Sequence, residues 1–138
     1  MATTTTHLNF RGDARAALAF YQRVFGGEIS QFSYGEAHDP RNPETDQIVW
    51  GQVLSPDGIH VMAYDVPPSM GFERGDNSFF VSVRSADADE ITRYWTGLVE
   101  GGTTVVDLGP AGFSPLYGMV TDRFGVTWVL DVQADYAG

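Results

Sequence analysis

Three histidines and no cysteine set the range of chemistry open to this chain of 138 residues. Without a thiol, disulfides, thiolate metal sites, iron–sulfur clusters and cysteine nucleophiles are excluded. His7 and His60 remain as a candidate acid–base pair, since an imidazole titrates near neutrality. They are also the weak candidates for metal binding, with Asp131 the carboxylate that would have to converge with them in a displaced site. The competing reading makes both histidines polar cavity residues that bind water or a ligand. His38 lies beside Glu36 and Asp39 in a proline-bearing stretch and reads as an exposed loop histidine, or failing that a lid residue. Asp65 and Asp122, like Asp131, read as turn or strand-end carboxylates without assigned chemistry. Arg11, Arg41, Arg74 and Arg123 fall at loops and turns and read as solvated, or as a clamp for a carboxylate or phosphonate if one turns inward. No nucleophile elbow, phosphate loop or dinucleotide fingerprint occurs.

The elements that would position the histidines repeat. Around His7, Leu8 and Phe10 alternate with polar residues as in a half-buried strand, and Arg11-Gly12 breaks it. Asp13 stands as an N-cap before a helical stripe of Ala14, Ala17, Leu18, Tyr21, Val24 and Phe25, which Gly26-Gly27 stops. A second copy follows the same order. A β-rich run over 78–83 leads to Asp87 and Glu90 in capping-box spacing, a stripe of Ile91, Tyr94, Trp95, Leu98 and Val99, and Gly101-Gly102. Further on, Trp50-Gly51-Gln52-Val53 with Pro56-Asp57-Gly58-Ile59 parallels Tyr117-Gly118-Met119-Val120 with Arg123-Phe124-Gly125-Val126. The interval between copies shortens by about eight residues along the way, so the first copy carries a longer loop near Tyr34–Asp46.

Each copy is a βαβββ module. Strands are expected at 5–10, 28–34, 47–54 and 59–65, then at 78–83, 103–108, 116–121 and 126–132, with helices at 14–25 and 87–99. The stretch 109–115 is expected to be a glycine and proline loop. The domains are a first module over 1–66, a linker over 67–76 and a second module over 77–138. The fold class is α+β: two mixed, curved sheets, each covered on one face by a helix, whose open faces form a cup. Strand alternation turns His7 and Asn9, then His60, Met62 and Tyr64, into that cup, and Ser78, Phe80, Val129 and Asp131 complete the cavity candidates from the second module. Trp50, Tyr64, Phe80 and Tyr117 are core or cavity aromatics, with the core the favoured place.

Eighteen acidic against eight basic residues leave a formal charge of −10, which would repel nucleic acid and anionic membranes. No apolar run is long enough to span a bilayer and the opening residues lack a secretory pattern, so the expected location is cytoplasmic.

The chain resembles the vicinal oxygen chelate superfamily of glyoxalase I, extradiol dioxygenases and the bleomycin and fosfomycin resistance proteins. More narrowly, it looks like the PhnB-like branch. The matching pieces are Leu8-Asn9-Phe10-x-Gly12, Ala17-Leu18-Ala19-Phe20-Tyr21, Val24 to Ile29, Val61-Met62-Ala63-x-Asp65, Gly101-Gly102 and Tyr117-Gly118-Met119-Val120-Thr121-Asp122-x-Phe124-Gly125-Val126-x-Trp128. The resemblance implies a homodimer. It also implies, for catalytic members, a divalent ion held by His and Glu on strands 1, 4, 5 and 8. Those places hold His7 or Thr5, Met62, Ser78 (with Phe80 and Ser82 beyond it) and Val129 (flanked by Thr127 and Asp131), which is not a divalent metal set. The branch often carries a demethylubiquinone methyltransferase name, but no glycine-rich cofactor loop joins a strand to a helix here, and methyl transfer is not expected.

Three functional readings follow. The first is a metal-independent, dimeric binding protein for a small molecule, without a cofactor. The second is a metal-dependent lyase, isomerase or dioxygenase with a displaced site. The third is a structural or regulatory dimer whose cup is filled by side chains.

Overall fold

Apolar alternation and two helical stripes build the same motif twice in the computed structural model, which describes residues 1–134. The chain divides into two units, Met1–Arg74 and Gly75–Gly138. In the first, β1 (Thr6–Phe10) leads to α1 (Ala14–Phe25), then β2 (Glu28–Ser33), β3 (Ile48–Leu54) and β4 (His60–Asp65). The sheet order is β1-β4-β3-β2, with β1 parallel to β4 and the other pairs antiparallel. In the second, β5 (Val81–Ser85), α2 (Ala88–Leu98), β6 (Thr103–Ala111), β7 (Ser114–Thr121) and β8 (Thr127–Val132) repeat that plan in the order β5-β8-β7-β6. The chain is α+β, with two four-stranded mixed sheets.

In the first unit α1 lays Ala14, Ala17, Leu18 and Tyr21 on Phe10, Val53, Val61 and Ala63, all buried. Each large side chain so buried contributes about 1.5–3 kcal/mol. In the second unit Ile91, Tyr94 and Leu98 of α2 take this role beside Val83, Val120, Trp128 and Leu130. In each sheet the residues between these point to the face without a helix.

Four local expectations are corrected. Asp13 occupies the N-cap of α1 but makes no capping bond, because its backbone is already helical (φ −99°, ψ −3°). Asp65, arriving from the end of β4, caps the helix instead: its Oδ1 accepts from Gly12 N at 2.6 Å and Ala14 N at 3.1 Å. Asp87, extended at φ −102° and ψ 110°, does cap α2 by accepting from Asp89 N. The capping box is not completed, since Asp87 N donates to Ser85 Oγ while Glu90 accepts from Tyr94 Oη.

The other two corrections concern strand ends. The stretch 109–115 is largely strand: β6 runs to Ala111 and β7 starts at Ser114. Ser114 Oγ donates to Val132 O at 2.7 Å and ties this start to the end of β8, while Pro110 is tolerated on an edge strand with register shifts. The fifth strand begins at Val81, not Ser78. Gly75 and Asn77 have positive φ, and pairing with β8 starts only at Val81↔Trp128.

The longer loop of the first unit is held by its own polar groups. Asn42, buried, donates to Gln47 Oε1 and accepts from Glu44 N. Hydrogen bonds from Ser33 N and Oγ lower the Glu36 pKa, and the Arg41 guanidinium does the same for Asp39. His38 is exposed, at φ 53°. Fully buried Tyr34 donates from Oη to Asp65 O at 2.6 Å, and burial raises its pKa above the ordinary 10.0. A phenol whose folded pKa is raised contributes stability that is complete below the unfolded value and is lost as pH rises through the folded one. The wild type is therefore expected to weaken more steeply above about pH 10 than Tyr34→Phe, which itself costs about 1 kcal/mol at neutral pH. Urea midpoints of both proteins between pH 8 and 11 would check this; parallel profiles would contradict it.

Candidate functional site

The face of the first sheet away from α1 carries five of the nine cavity candidates in register. His7 pairs with Met62 and Asn9 with Tyr64 across β1 and β4; Met62 pairs with Gln52, and His60 with Leu54, across β4 and β3. His60 is held on both sides. Thr5 Oγ1 lies 2.9 Å from Nδ1, and Nε2 donates to Gln52 Oε1 at 2.7 Å, so the neutral ring takes the Nε2–H tautomer with Nδ1 accepting from the threonine. His7 donates from Nδ1 to Asn9 Oδ1 at 3.0 Å and packs edge-on against Tyr64, ring centroids 5.3 Å apart. Its Nε2 is left as an acceptor. Tyr64 Oη donates to Met70 Sδ at 3.8 Å. Arg11 fixes the segment bearing Met70 by donating to the carbonyls of Val66, Pro67 and Met70, so it binds backbone rather than standing solvated.

On the corresponding face of the second sheet, Val129 pairs with Ser82 and with Met119, and Asp131 with Arg84 and Tyr117. Asp131 is bound by Arg84 Nε at 3.1 and 3.3 Å. Ser78 and Phe80 are exposed and precede β5; by register it is Ser82 that occupies in this unit the place of His7 in the first.

These donors do not fit a divalent ion. The accepting nitrogen of His60 is taken by Thr5, and His7 has Asn9, Tyr64 and Met62 as neighbours. Asp131 already carries an arginine. Among the described residues no three His, Asp or Glu side chains gather as a metal site. Hard divalent ions require carboxylates that this face does not bring to its imidazoles.

Three features of the face lie outside the nine cavity candidates. An open depression of about 510 Å³ lies along β2 and β3, lined by Glu28, Ser30, Gln52 and Leu54 and by the Ser55-Pro56 turn. Beside it Trp50, 38% exposed, and Phe32, 52% exposed, stand with ring centroids 6.1 Å apart. Trp50 is thus a surface aromatic and not core, and exposed Phe80 is not core either. Trp50 faces outward by plain alternation with buried Gly51 and Val53, and a bulge lets Ile48 face inward all the same: Phe32 pairs with Trp50 but Ser33 with Ile48, so Val49 is an extra residue. The third feature is Gln52, whose place opposite Met62 is visible only in the register. The alternation of Gln52 with Gly51 and Val53 was the one available signal.

Residues 2–130 match the family described as 3-demethylubiquinone-9 3-methyltransferase. Protein YjdN of Escherichia coli K12 is 24% identical over 135 residues, covering 91% of this chain and 92% of its own. The crystal structure of protein PA1353 from Pseudomonas aeruginosa superposes with a TM-score of 0.86 at 28% identity, over 98% of this chain and all of that one. The PhnB protein of Bacillus cereus, described as a 3-demethylubiquinone-9 3-methyltransferase, has the same fold, with a TM-score of 0.72 at 24% identity over 95% and 99% of the two chains.

Proposed function

This chain belongs to the 3-demethylubiquinone-9 3-methyltransferase family, a PhnB-like group with the two-module glyoxalase/bleomycin-resistance fold, and within it we propose a metal-independent binding protein for a small organic molecule. The carrying observation is the open face of the first sheet. Its polar groups are already oriented by uncharged partners, His60 by Thr5 and Gln52 and His7 by Asn9, next to exposed apolar rings. Sites for small molecules combine such apolar surface with a few fixed polar groups. The methyl-transfer activity in the family's description is not carried over. The N-terminus of α1, where a cofactor anion would sit, is filled by the Asp65 carboxylate.

The proposal includes a homodimer, supported by the exposed apolar side chains Val105, Val106 and Phe113 along β6 and the turn after it, since uncovered edge strands call for a partner. It also includes a cytoplasmic location, in keeping with a chain free of cysteine. No helix among the described residues is long and apolar enough to cross a membrane.

Native mass spectrometry of the purified protein, before and after exposure to a panel of divalent ions, tests the reading. A dimer without stoichiometric metal is expected. One tightly held ion per chain would overturn it in favour of a metal-dependent lyase, isomerase or dioxygenase, with His7 the first residue to substitute because its Nε2 is open.

A further inference from the structure

The β2–β3 ladder orders three kinds of chemistry along one line. On the face away from α1 the cross-strand pairs are Glu28↔Leu54, Ser30↔Gln52 and Phe32↔Trp50. Carboxylate and aliphatic surface stand at one end, a hydroxyl and an amide in the middle, and two aromatic rings at the other. Alternate residues of a strand are about 6.8 Å apart, so the carboxylate and the rings are separated by roughly 13 Å. The depression of about 510 Å³ occupies the acidic end and the middle, within the range of cavities that take small organic ligands.

Each part is set to act outward. Gln52 has its Oε1 occupied by His60 Nε2–H, which leaves its amide hydrogens to donate into the depression. Leu54 is 50% exposed, and both rings present solvent-facing surface. Glu28 forms no ion pair among the described residues. Because β2 is an edge strand, no further strand of its sheet lies beside Glu28, Ser30 and Phe32. The formal charge of −10 raises the local concentration of cations and lowers that of anions.

We propose that this strip binds an elongated organic cation: a protonated amine against Glu28, an acceptor group against Gln52, and an aromatic ring against Trp50 and Phe32. The proposal rests on the small-molecule reading above and names the class of ligand for that face.

Three probes of one length separate charge from shape: 6-phenylhexylamine, 6-phenylhexanol and 6-phenylhexanoate. Each is titrated into ¹⁵N-labelled protein while the Trp50 indole resonance, assigned through Trp50→Phe, and the backbone signals of residues 28–32 are followed. The amine is expected to move these signals at concentrations about tenfold lower than the alcohol, and the carboxylate to bind more weakly than either. Glu28→Gln, a substitution at an exposed position, should bring the amine to the affinity of the alcohol and leave the alcohol unchanged. Trp50→Ala should weaken amine and alcohol alike. If the amine binds no better than the alcohol, or if Glu28→Gln leaves its affinity unchanged, the cationic class is overturned while the binding face stands. If no probe moves any signal of this face, the strip is not a ligand site and the small-molecule reading falls with it.

Discussion

Asp65→Ala is expected to destabilise the protein by about 3–5 kcal/mol, with a fall in melting temperature on the order of 10 °C. The side chain is 1% exposed and fully used. One oxygen caps α1 through Gly12 N and Ala14 N, and the other accepts from Ile48 N at 2.9 Å, which anchors the start of β3 after the long loop. Its backbone carbonyl receives the Tyr34 hydroxyl. Removing the carboxylate strands three backbone donors at once, two of them at a helix end that has no substitute, since Asp13 makes no capping bond. Hydrogen bonds to an ionised acceptor contribute about 1.5–3 kcal/mol each and do not add fully, hence the range. Asp13→Ala, in contrast, should cost less than about 1 kcal/mol. Urea unfolding of both variants decides the matter; equal losses would place the cap at Asp13.

The second large effect belongs to Gly27→Ala. At φ +96° the backbone is left-handed, and a Cβ built there would overlap Leu54 O and lie 2.6 Å from Ser55 Cα. These are backbone atoms of the turn that closes β3 onto β4. Ser55 Oγ accepts from Asp57 N and Ile59 N, and Ser55 N donates to Ile59 O. The turn can move only by giving up those bonds. Left-handed strain of about 1–2 kcal/mol and overpacking of about 1–3 kcal/mol together predict a loss of about 3 kcal/mol. The second unit repeats the contact, Gly102 meeting Thr121 O and lying 3.1 Å from Asp122 Cα, but without a positive φ. Gly102→Ala should therefore lose only the overpacking part. Thermal melts of the pair would show the difference; a harmless Gly27→Ala would mean that the Ser55 turn is free to shift.

The sequence alone was enough for the two βαβββ modules, because period and punctuation are local. Leu8 and Phe10 against His7 and Asn9, the stripe from Ala14 to Phe25, and the glycine stops are readable without knowing what they touch. The duplication extends to the turns: Asp122 in the second unit accepts from Phe124 N and Val126 N as Ser55 does from Asp57 N and Ile59 N in the first. The shared placement of His7, Asn9, His60, Met62 and Tyr64 on one face follows from parity within β1 and β4, neither of which contains a bulge.

What tertiary structure alone decided is which distant groups meet. Asp65 lies 51 residues from the Ala14 amide it caps, and no local pattern marks an aspartate at a strand end as the cap of an earlier helix. The bulge at Val49 reverses the parity at the start of β3, so that Ile48 is buried although Trp50, two residues on, faces outward, since one extra residue flips every side chain beyond it. The start of β5 depends on where β8 begins to offer partners, and the extension of β6 to Ala111 depends on Ser114 reaching Val132. Composition and period specify elements because they act over a few residues. Caps, bulges and the facing of Glu28, Gln52 and Trp50 arise from pairing between strands and had to be seen in space.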